Sequence, residues 1–377
     1  MLLKYGAKNY FSFKEGFEVS FELGKNCPLP VKSYSNILCI NGANGSGKTN
    51  VLKTLSFFKD FCCNSWNEKP ESLIYISSFF HNSKPIDFFI EFNISNIKYR
   101  YEASLTTKKI ISEIIYKKIK RETKIIERTN NEITYCNSKY KELEKIKLRA
   151  NASIISTANQ YEILQIKPIY NFFNSIITNV YSLIGLNDYE PDINVISEYY
   201  LKYKKMFEFT KKIICNCDLG ISDITIEQTT NEKGKDIYYP LFHYNINNKI
   251  TFLLLHSQSS GTKTLFYRLA NYKYALDTGG VIVADEFDIH LHPHILPVLF
   301  DLFVNEDINK KNAQLIFTTH NTEIMDFLGK YRTLLINKEN NESFCYRLDE
   351  LPGDIIRNDR PISPIYNSGK IGGVPKI

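Results

Sequence analysis

Residues 36–49 read Asn-Ile-Leu-Cys-Ile-Asn-Gly-Ala-Asn-Gly-Ser-Gly-Lys-Thr, and no other stretch constrains the fold of this chain as much. Ile37 to Ile40 is an apolar run of the length of a buried strand. Gly42 opens a glycine-rich turn that closes on Gly47, Lys48 and Thr49. Beyond it Val51, Leu52, Leu55 and Phe58 recur with the spacing of one helix face. A strand that turns through glycines into a helix gathers backbone N–H groups and the positive end of a helix dipole around one small volume. That volume suits phosphate groups. Gly42, Asn44, Gly45, Ser46, Gly47 and Asn50 would line it. Lys48 would place a point charge on the β- and γ-phosphates, and Thr49 would ligate Mg²⁺. With Gly at 17 of 377 positions, the bare pattern arises by accident in roughly one chain per hundred of this length. Its flanking strand and helix make accident rarer still, so ATP and Mg²⁺ are the expected cofactors.

A second set of residues completes such a site. Gly280-Val-Ile-Val-Ala-Asp285-Glu286 is an apolar strand ending in two carboxylates. Two acids at the end of a core strand are costly unless a metal or a hydrogen-bond network uses them. Asp285 is expected to hold Mg²⁺ through water, and Glu286 to polarise the attacking water as general base. Gln314 to Thr319 is another apolar strand, ending in His320, where ABC-type ATPases place a histidine on the γ-phosphate. Ser259-Ser260-Gly261-Thr262 opens a helix carrying Leu265, Phe266 and Leu269, just after the strand Ile250 to Leu255. This is an anion site or a plain N-cap. ABC-type ATPases set a signature segment here and use it on the partner subunit's ATP, which would give that role to Ser259, Ser260 and Gly261. Lys48 lies 237 residues before Asp285. RecA-like and AAA+ cores are more compact than that, and a long insertion suits the ABC, SMC and RecF group. Asp288-Ile-His290-Leu-His292-Pro-His294 alternates three histidines, but Pro293 is expected to open a helix and separate them. Asp288 is assigned to a contact with a dimer partner.

Taken together these residues resemble the stand-alone ABC-type ATP-binding proteins of prokaryotes grouped as a generic AAA family. That group includes RloA-like and abortive-infection proteins and the ATPase subunits of the PARIS and Septu phage-defence systems, and is related to the ATPase half of OLD-family nucleases. The likeness extends to Lys8-Asn-Tyr-Phe-Ser-Phe13, to Phe88–Phe92 with Tyr99-Arg100-Tyr101, to Glu113, Arg128, Asn151-Ala-Ser153 and Asn159-Gln160, and to the tail Arg360 and Gly369–Pro375. It departs from the transporter pattern in its Gln-Ser-Ser-Gly-Thr signature and in lacking an assignable Q-loop glutamine. His81 stands in that region without being assigned. The resemblance implies an α/β P-loop NTPase with a mixed-sheet head and a largely helical insertion. It also implies an ATP-dependent homodimer or higher oligomer, and an effector acting in trans.

The head is expected from residues 1–104 plus 250–377, and the inserted lobe from 105–249. Ile169, Phe172, Phe173, Ile176, Ile177 and Val180 are assigned to one helix of that lobe. Residues 105–212 hold 19 Lys/Arg against 12 Asp/Glu, so they carry 19 − 12 = +7 of an overall +6. Such a stretch is a solvated face or a surface for nucleic-acid backbones, which makes a RecF- or SMC-like DNA-repair ATPase the alternative function. Sustained heptads for an SMC arm are absent. After His320 only 57 residues follow, too few for the nuclease domain of OLD proteins. The eight cysteines make no CxxC pair and read as reduced thiols. With no apolar run of membrane-spanning length and no secretory leader, a cytoplasmic location away from membranes is expected.

Overall fold

A computed structural model describes residues 1–24, 27, 33–187, 191–352, 355–357 and 359–374. The chain forms two compact units. The first is Met1–Asn187, Gly279–Phe287 and Asn312–Ile377, and the second is Asp188–Thr278 with Asp288–Lys311.

In chain order the first unit carries β1 (Leu2–Lys8), β2 (Phe17–Ser20), β3 (Ile37–Gly42), α1 (Lys48–Asn64), β4 (Ile86–Ile94), β5 (Ile97–Leu105), β6 (Ile110–Lys118), β7 (Glu122–Thr129), β8 (Glu132–Cys136), α2 (Ile154–Gln160), α3 (Lys167–Asn174), β9 (Ile176–Thr178), β10 (Val180–Tyr181) and β11 (Gly185–Leu186). The second unit supplies α4 (Ile193–Lys202), α5 (Lys204–Cys217), β12 (Ile221–Thr230), β13 (Asp236–Ile246), β14 (Lys249–Leu254) and α6 (Ser260–Thr278). The chain returns to the first unit for β15 (Val281–Ala284), crosses again for α7 (Leu296–Val304), and ends in the first unit with β16 (Gln314–Thr318), α8 (Glu323–Leu328), β17 (Thr333–Glu339), β18 (Glu342–Arg347) and α9 (Ser363–Asn367).

Two sheets build the first unit. One is antiparallel throughout, in the order β2-β1-β4-β5-β6-β7-β8. The other runs β18-β17-β3-β16-β15-β9, with β18 antiparallel at its edge and the rest parallel. Strands β3, β15 and β16 are buried at every position, as strands covered on both faces must be, and their sequences are accordingly continuous apolar runs. Helix α1 touches both sheets. Phe57 stacks on Phe88 of β4 at 4.6 Å between centroids, and Phe58 lies 6.0 Å from Tyr101 of β5. Val51, Leu52 and Leu55 are fully buried, each worth about 1.5–3 kcal/mol. The phosphate-loop helix is therefore fixed from two sides.

The antiparallel sheet is tied to α2 by a buried ion pair. Arg128 Nη1 donates to Glu113 Oε2 at 2.8 Å, and neither side chain is exposed. Glu113 also accepts from the Ile154 N–H at 3.1 Å and from the Tyr101 hydroxyl. Burial pushes its carboxyl up, and Arg128 and the hydrogen bonds pull it back. The remaining guanidinium N–H groups go to the carbonyls of Asn130, Arg149 and Ala152. The next residue, Ser153, caps α2 by accepting from the Ser156 N–H at 3.0 Å.

The second unit is an antiparallel meander, β12-β13-β14, with helices. The Tyr200 hydroxyl of α4 donates to the Phe266 carbonyl of α6 at 2.7 Å and accepts from Thr210 of α5 at 3.1 Å. Phe242 of β13 packs 5.8 Å from Phe266.

The expected division at 105 and 249 differs from the observed one. Residues 110–136 form β6, β7 and β8, which extend the sheet begun by β1 and cannot be detached from it. The crossing falls at Asn187, and β14 with α6 belongs to the second unit. The stretch read as an inserted, mostly helical lobe contains β6 to β13 as well as α2 to α5. The helix assigned across Ile169 to Val180 stops at Asn174, where Ile176 and Ile177 enter β9 beside β15. No helix among the described residues is long and apolar enough to cross a membrane.

Candidate functional site

Parallel strands of an open sheet place their carboxyl ends along one edge, and ligands bind there. In the first unit that edge receives the loop after β3, Asp285 and Glu286 after β15, Thr319 and His320 after β16, and Asn179 after β9.

The loop after β3 has the geometry of an anion cradle. Gly47 has φ 111° and precedes α1, which has no side-chain cap and no acid in its first turn. A Cβ on Gly47 would come within 2.7 Å of Ser12 Oγ and 2.9 Å of Ser343 Oγ, so only glycine fits. Gly45, at φ 73°, meets no atom within 4 Å, which leaves room for phosphate oxygens. Lys48 is 8% exposed and folds back to donate to the carbonyls of Gly42 (2.8 Å) and Ala43 (3.1 Å). Burial draws its ammonium below the usual lysine range, and Asp285 and Glu286 partly restore it. The buried Ser46 hydroxyl has no partner among the described residues. Open space at Gly45, a cation without an ion pair and an orphaned hydroxyl together fit a bound polyphosphate. Asn44 is exposed on the rim, and Asn50 donates to Ser12 Oγ at 3.0 Å.

Asp285 is held from helix α1, from strand β16 and from the residue after β9. Its Oδ2 accepts from Thr49 Oγ1 at 2.8 Å and its Oδ1 from Thr318 Oγ1 at 2.5 Å. Its backbone is clamped by Asn179, which accepts from the Asp285 N–H at 2.8 Å and donates to the Asp285 carbonyl at 3.0 Å. Thr49 beside Asp285 matches the oxygen-donor chemistry of Mg²⁺. Glu286 follows in the left-handed region, φ 50°, a strain of about 1–3 kcal/mol for a non-glycine residue. Its N–H is pinned to Thr318 Oγ1 at 2.8 Å and its carboxylate accepts no hydrogen bond from the described residues. His320 is exposed just beyond β16, whose register puts it on the same edge.

Thr318 and Asn179 carry no local signal in the sequence, and the tail stands out only through the family likeness. Thr318 ends an ordinary apolar strand, and Asn179 lies inside what reads as a helix. The Tyr366 hydroxyl of α9 lies 2.7 Å from the Gly373 carbonyl and 3.1 Å from Asn41 Oδ1, which accepts from the Gly42 N–H at 2.8 Å. The tail thus props the start of the phosphate loop. Pro375 of that tail lies outside the described residues.

Ser259, Ser260 and Gly261 lie in the second unit. Ser259 Oγ accepts from the Thr262 N–H at 3.1 Å, which makes it the N-cap of α6, and Thr262 Oγ1 donates to Asp218 at 2.8 Å. A Cβ on Gly261 would lie 2.9 Å from the His290 carbonyl, so the turn before α7 requires that glycine. His292 and His294 stack at 5.2 Å without His290, and no group of three metal-ligating side chains occurs among the described residues. Several cations of the basic segment are already engaged. Arg128 is buried against Glu113, Arg149 stacks on Trp66 at 3.6 Å, and Lys124 and Lys211 pair with Glu127 and Asp223.

The head of an SMC protein solved with the C-winged helix domain of ScpA is similar over 92% of this chain and 96% of its own, at 14% identity and a TM-score of 0.49. The SMC head domain from Thermotoga maritima is similar over 92% and 98%, at 14% identity and a TM-score of 0.42. An SMC head from Pyrococcus furiosus, with an extended coiled coil and the C-terminal domain of ScpA, is similar over 93% and 97%, at 12% identity and a TM-score of 0.47. No curated protein matches the chain. The family model described as "AAA domain, putative AbiEii toxin, Type IV TA system" matches residues 37–326, from the strand before the phosphate loop to beyond His320. The chain belongs to this family of AAA domains.

Proposed function

We propose that this protein binds ATP with Mg²⁺, hydrolyses it slowly, and serves as the ATPase subunit of an anti-phage complex whose effector is another chain. The observation that carries the ATPase reading is the double threonine clamp on Asp285, beside a loop with an uncapped helix end and a buried lysine that rests on loop carbonyls. Thr49 and Asp285 would hold the metal, and Mg²⁺ when bound would offset the charge of the transferring phosphoryl group. The backbone N–H groups of Gly45 to Lys48 orient the phosphates, and Lys48 exchanges its loop carbonyls for phosphate oxygens. Glu286, held rigidly by its own backbone, accepts a proton from the attacking water. His320 contacts the γ-phosphate from the same edge.

ATP is proposed to join two copies, with the Ser259–Gly261 turn of one copy facing the phosphate loop of the other. The defence role rests on the family's description as a toxin-associated AAA domain and on the likeness to abortive-infection ATPases. A DNA-repair ATPase fits less well, because Arg128, Arg149, Lys124 and Lys211 are occupied within the protein.

The test is ATP binding and turnover by the purified chain, with Lys48→Ala expected to bind no ATP at concentrations that saturate the wild type. Wild-type binding by that variant would end the reading. Tagged Glu286→Gln protein recovered with ATP from its host distinguishes the two roles. A second protein at fixed stoichiometry supports the defence complex, and salt-labile DNA without a protein partner supports repair.

A further inference from the structure

Lys53 stands four residues after Thr49 on α1, so the two side chains share a helix face. It is 8% exposed. Its ammonium lies over the Phe11 ring, 4.1 Å from the centroid. Against it also runs the backbone of Gly185, which opens β11 and where a Cβ would lie 3.4 Å from Thr49 Cγ2 and 3.5 Å from Lys53 Cε. Within this slot Lys53 donates no hydrogen bond to a described residue. Burial draws its ammonium below the usual lysine range and the Asp285 carboxylate partly restores it, but both Asp285 oxygens are already taken by Thr49 and Thr318. Lys48 differs, since it rests on the carbonyls of Gly42 and Ala43.

A buried ammonium without an acceptor is costly, and one aromatic face returns only part of that cost. Phe11 is in turn held against the loop. It has φ 48°, and its neighbour Ser12 accepts from Asn50. A buried cation beside a phosphate loop, with no acceptor among the described residues, is arranged for an anion that arrives later.

We propose that Lys53 is a second phosphate-binding cation of the nucleotide site, held on the Thr49–Asp285 side of the loop, so that the polyphosphate has a charge partner there before the metal is in place. This rests on the ATP-site reading above. It predicts that Lys53 matters most when Mg²⁺ is absent, because the metal neutralises the same region once bound.

The test compares wild type, Lys53→Met and Lys53→Arg by calorimetric ATP titration in EDTA and in Mg²⁺, with thermal unfolding of each nucleotide-free protein. Lys53→Met is expected to weaken ATP about tenfold or more in EDTA and about threefold or less in Mg²⁺, and Lys53→Arg to stay within about threefold of wild type in both. Nucleotide-free Lys53→Met is expected to unfold at the same or a higher temperature, since it loses an uncompensated buried charge. Unchanged ATP affinity in EDTA overturns the proposal. So does weakened binding accompanied by a lower unfolding temperature, which marks Lys53 as a packing residue. A Lys48→Ala chain that binds ATP as wild type does would instead overturn the site reading itself.

Discussion

At the scale of single residues, Glu286 is separated from its neighbours by what it lacks. Lys48 has two carbonyls and Asp285 two threonine hydroxyls, whereas the Glu286 carboxylate has no donor among the described residues although its backbone is pinned at φ 50°. A group meant to take a proton from water must keep its lone pairs free and its position fixed. Left-handed strain at a glutamate is tolerated only where the surroundings overdetermine it, and the Thr318 hydroxyl, bonded to Asp285 and to the Glu286 N–H together, does so. Replacing Glu286 with Gln keeps the shape and removes the basicity. Single-turnover measurements should show hydrolysis slowed by about 10²- to 10⁴-fold with ATP affinity nearly unchanged. Hydrolysis at the wild-type rate would remove Glu286 from the role of base. Thr318 and Asn179 reach the site through Asp285 and are positioning residues.

At the scale of elements, the Arg128–Glu113 pair joins β7 and β6 to the start of α2, because Glu113 also accepts the Ile154 N–H and Arg128 also donates to Ala152. Removing one partner strands the other charge in a place without water. Arg128→Met should therefore cost about 3–5 kcal/mol in denaturant unfolding. A double change, Arg128→Met with Glu113→Leu, should recover much of that loss, because no buried charge is left. If the double variant is no better than the single one, the pair's contribution is packing rather than charge. The same elements explain what could be read in advance. The phosphate loop and the acidic strand end are local patterns, legible because turn chemistry and burial leave their mark within a dozen residues. The antiparallel sheet was not legible as one object. Pairing β1 with β4 joins Leu2 to Phe92, and no local periodicity records a partner so far away. The 237 residues between Lys48 and Asp285 point to a long insertion, but motif spacing carries no information on which strands pair. Ile176 and Ile177 continue the helical spacing of Ile169, Phe172 and Phe173, and it is pairing with β15 that makes them a strand.

At the scale of the whole molecule, the phosphate loop and the acids belong to one compact unit and the Ser259–Gly261 turn to the other. If that turn completes a partner's site, defects in the two parts should complement. A Lys48→Ala chain keeps a normal turn, and a Ser259→Arg chain keeps a normal loop. Each alone can form no intact site. In a mixed dimer one site unites both defects and the other unites both normal parts. Random mixing of equal amounts makes about half of the dimers mixed, each with one intact site of two, so turnover should return to about one quarter of wild type if the sites act independently. A site completed within one chain predicts no recovery at any ratio, and recovery that depends on mixing cannot arise from a monomer. The Ser259 hydroxyl also caps α6, so Ser259→Ala serves as the control. It loses the cap, at about 1 kcal/mol, without placing a cation in the interface. If Ser259→Ala abolishes turnover as fully as Ser259→Arg, and mixing restores neither, the turn is structural and the dimer reading falls.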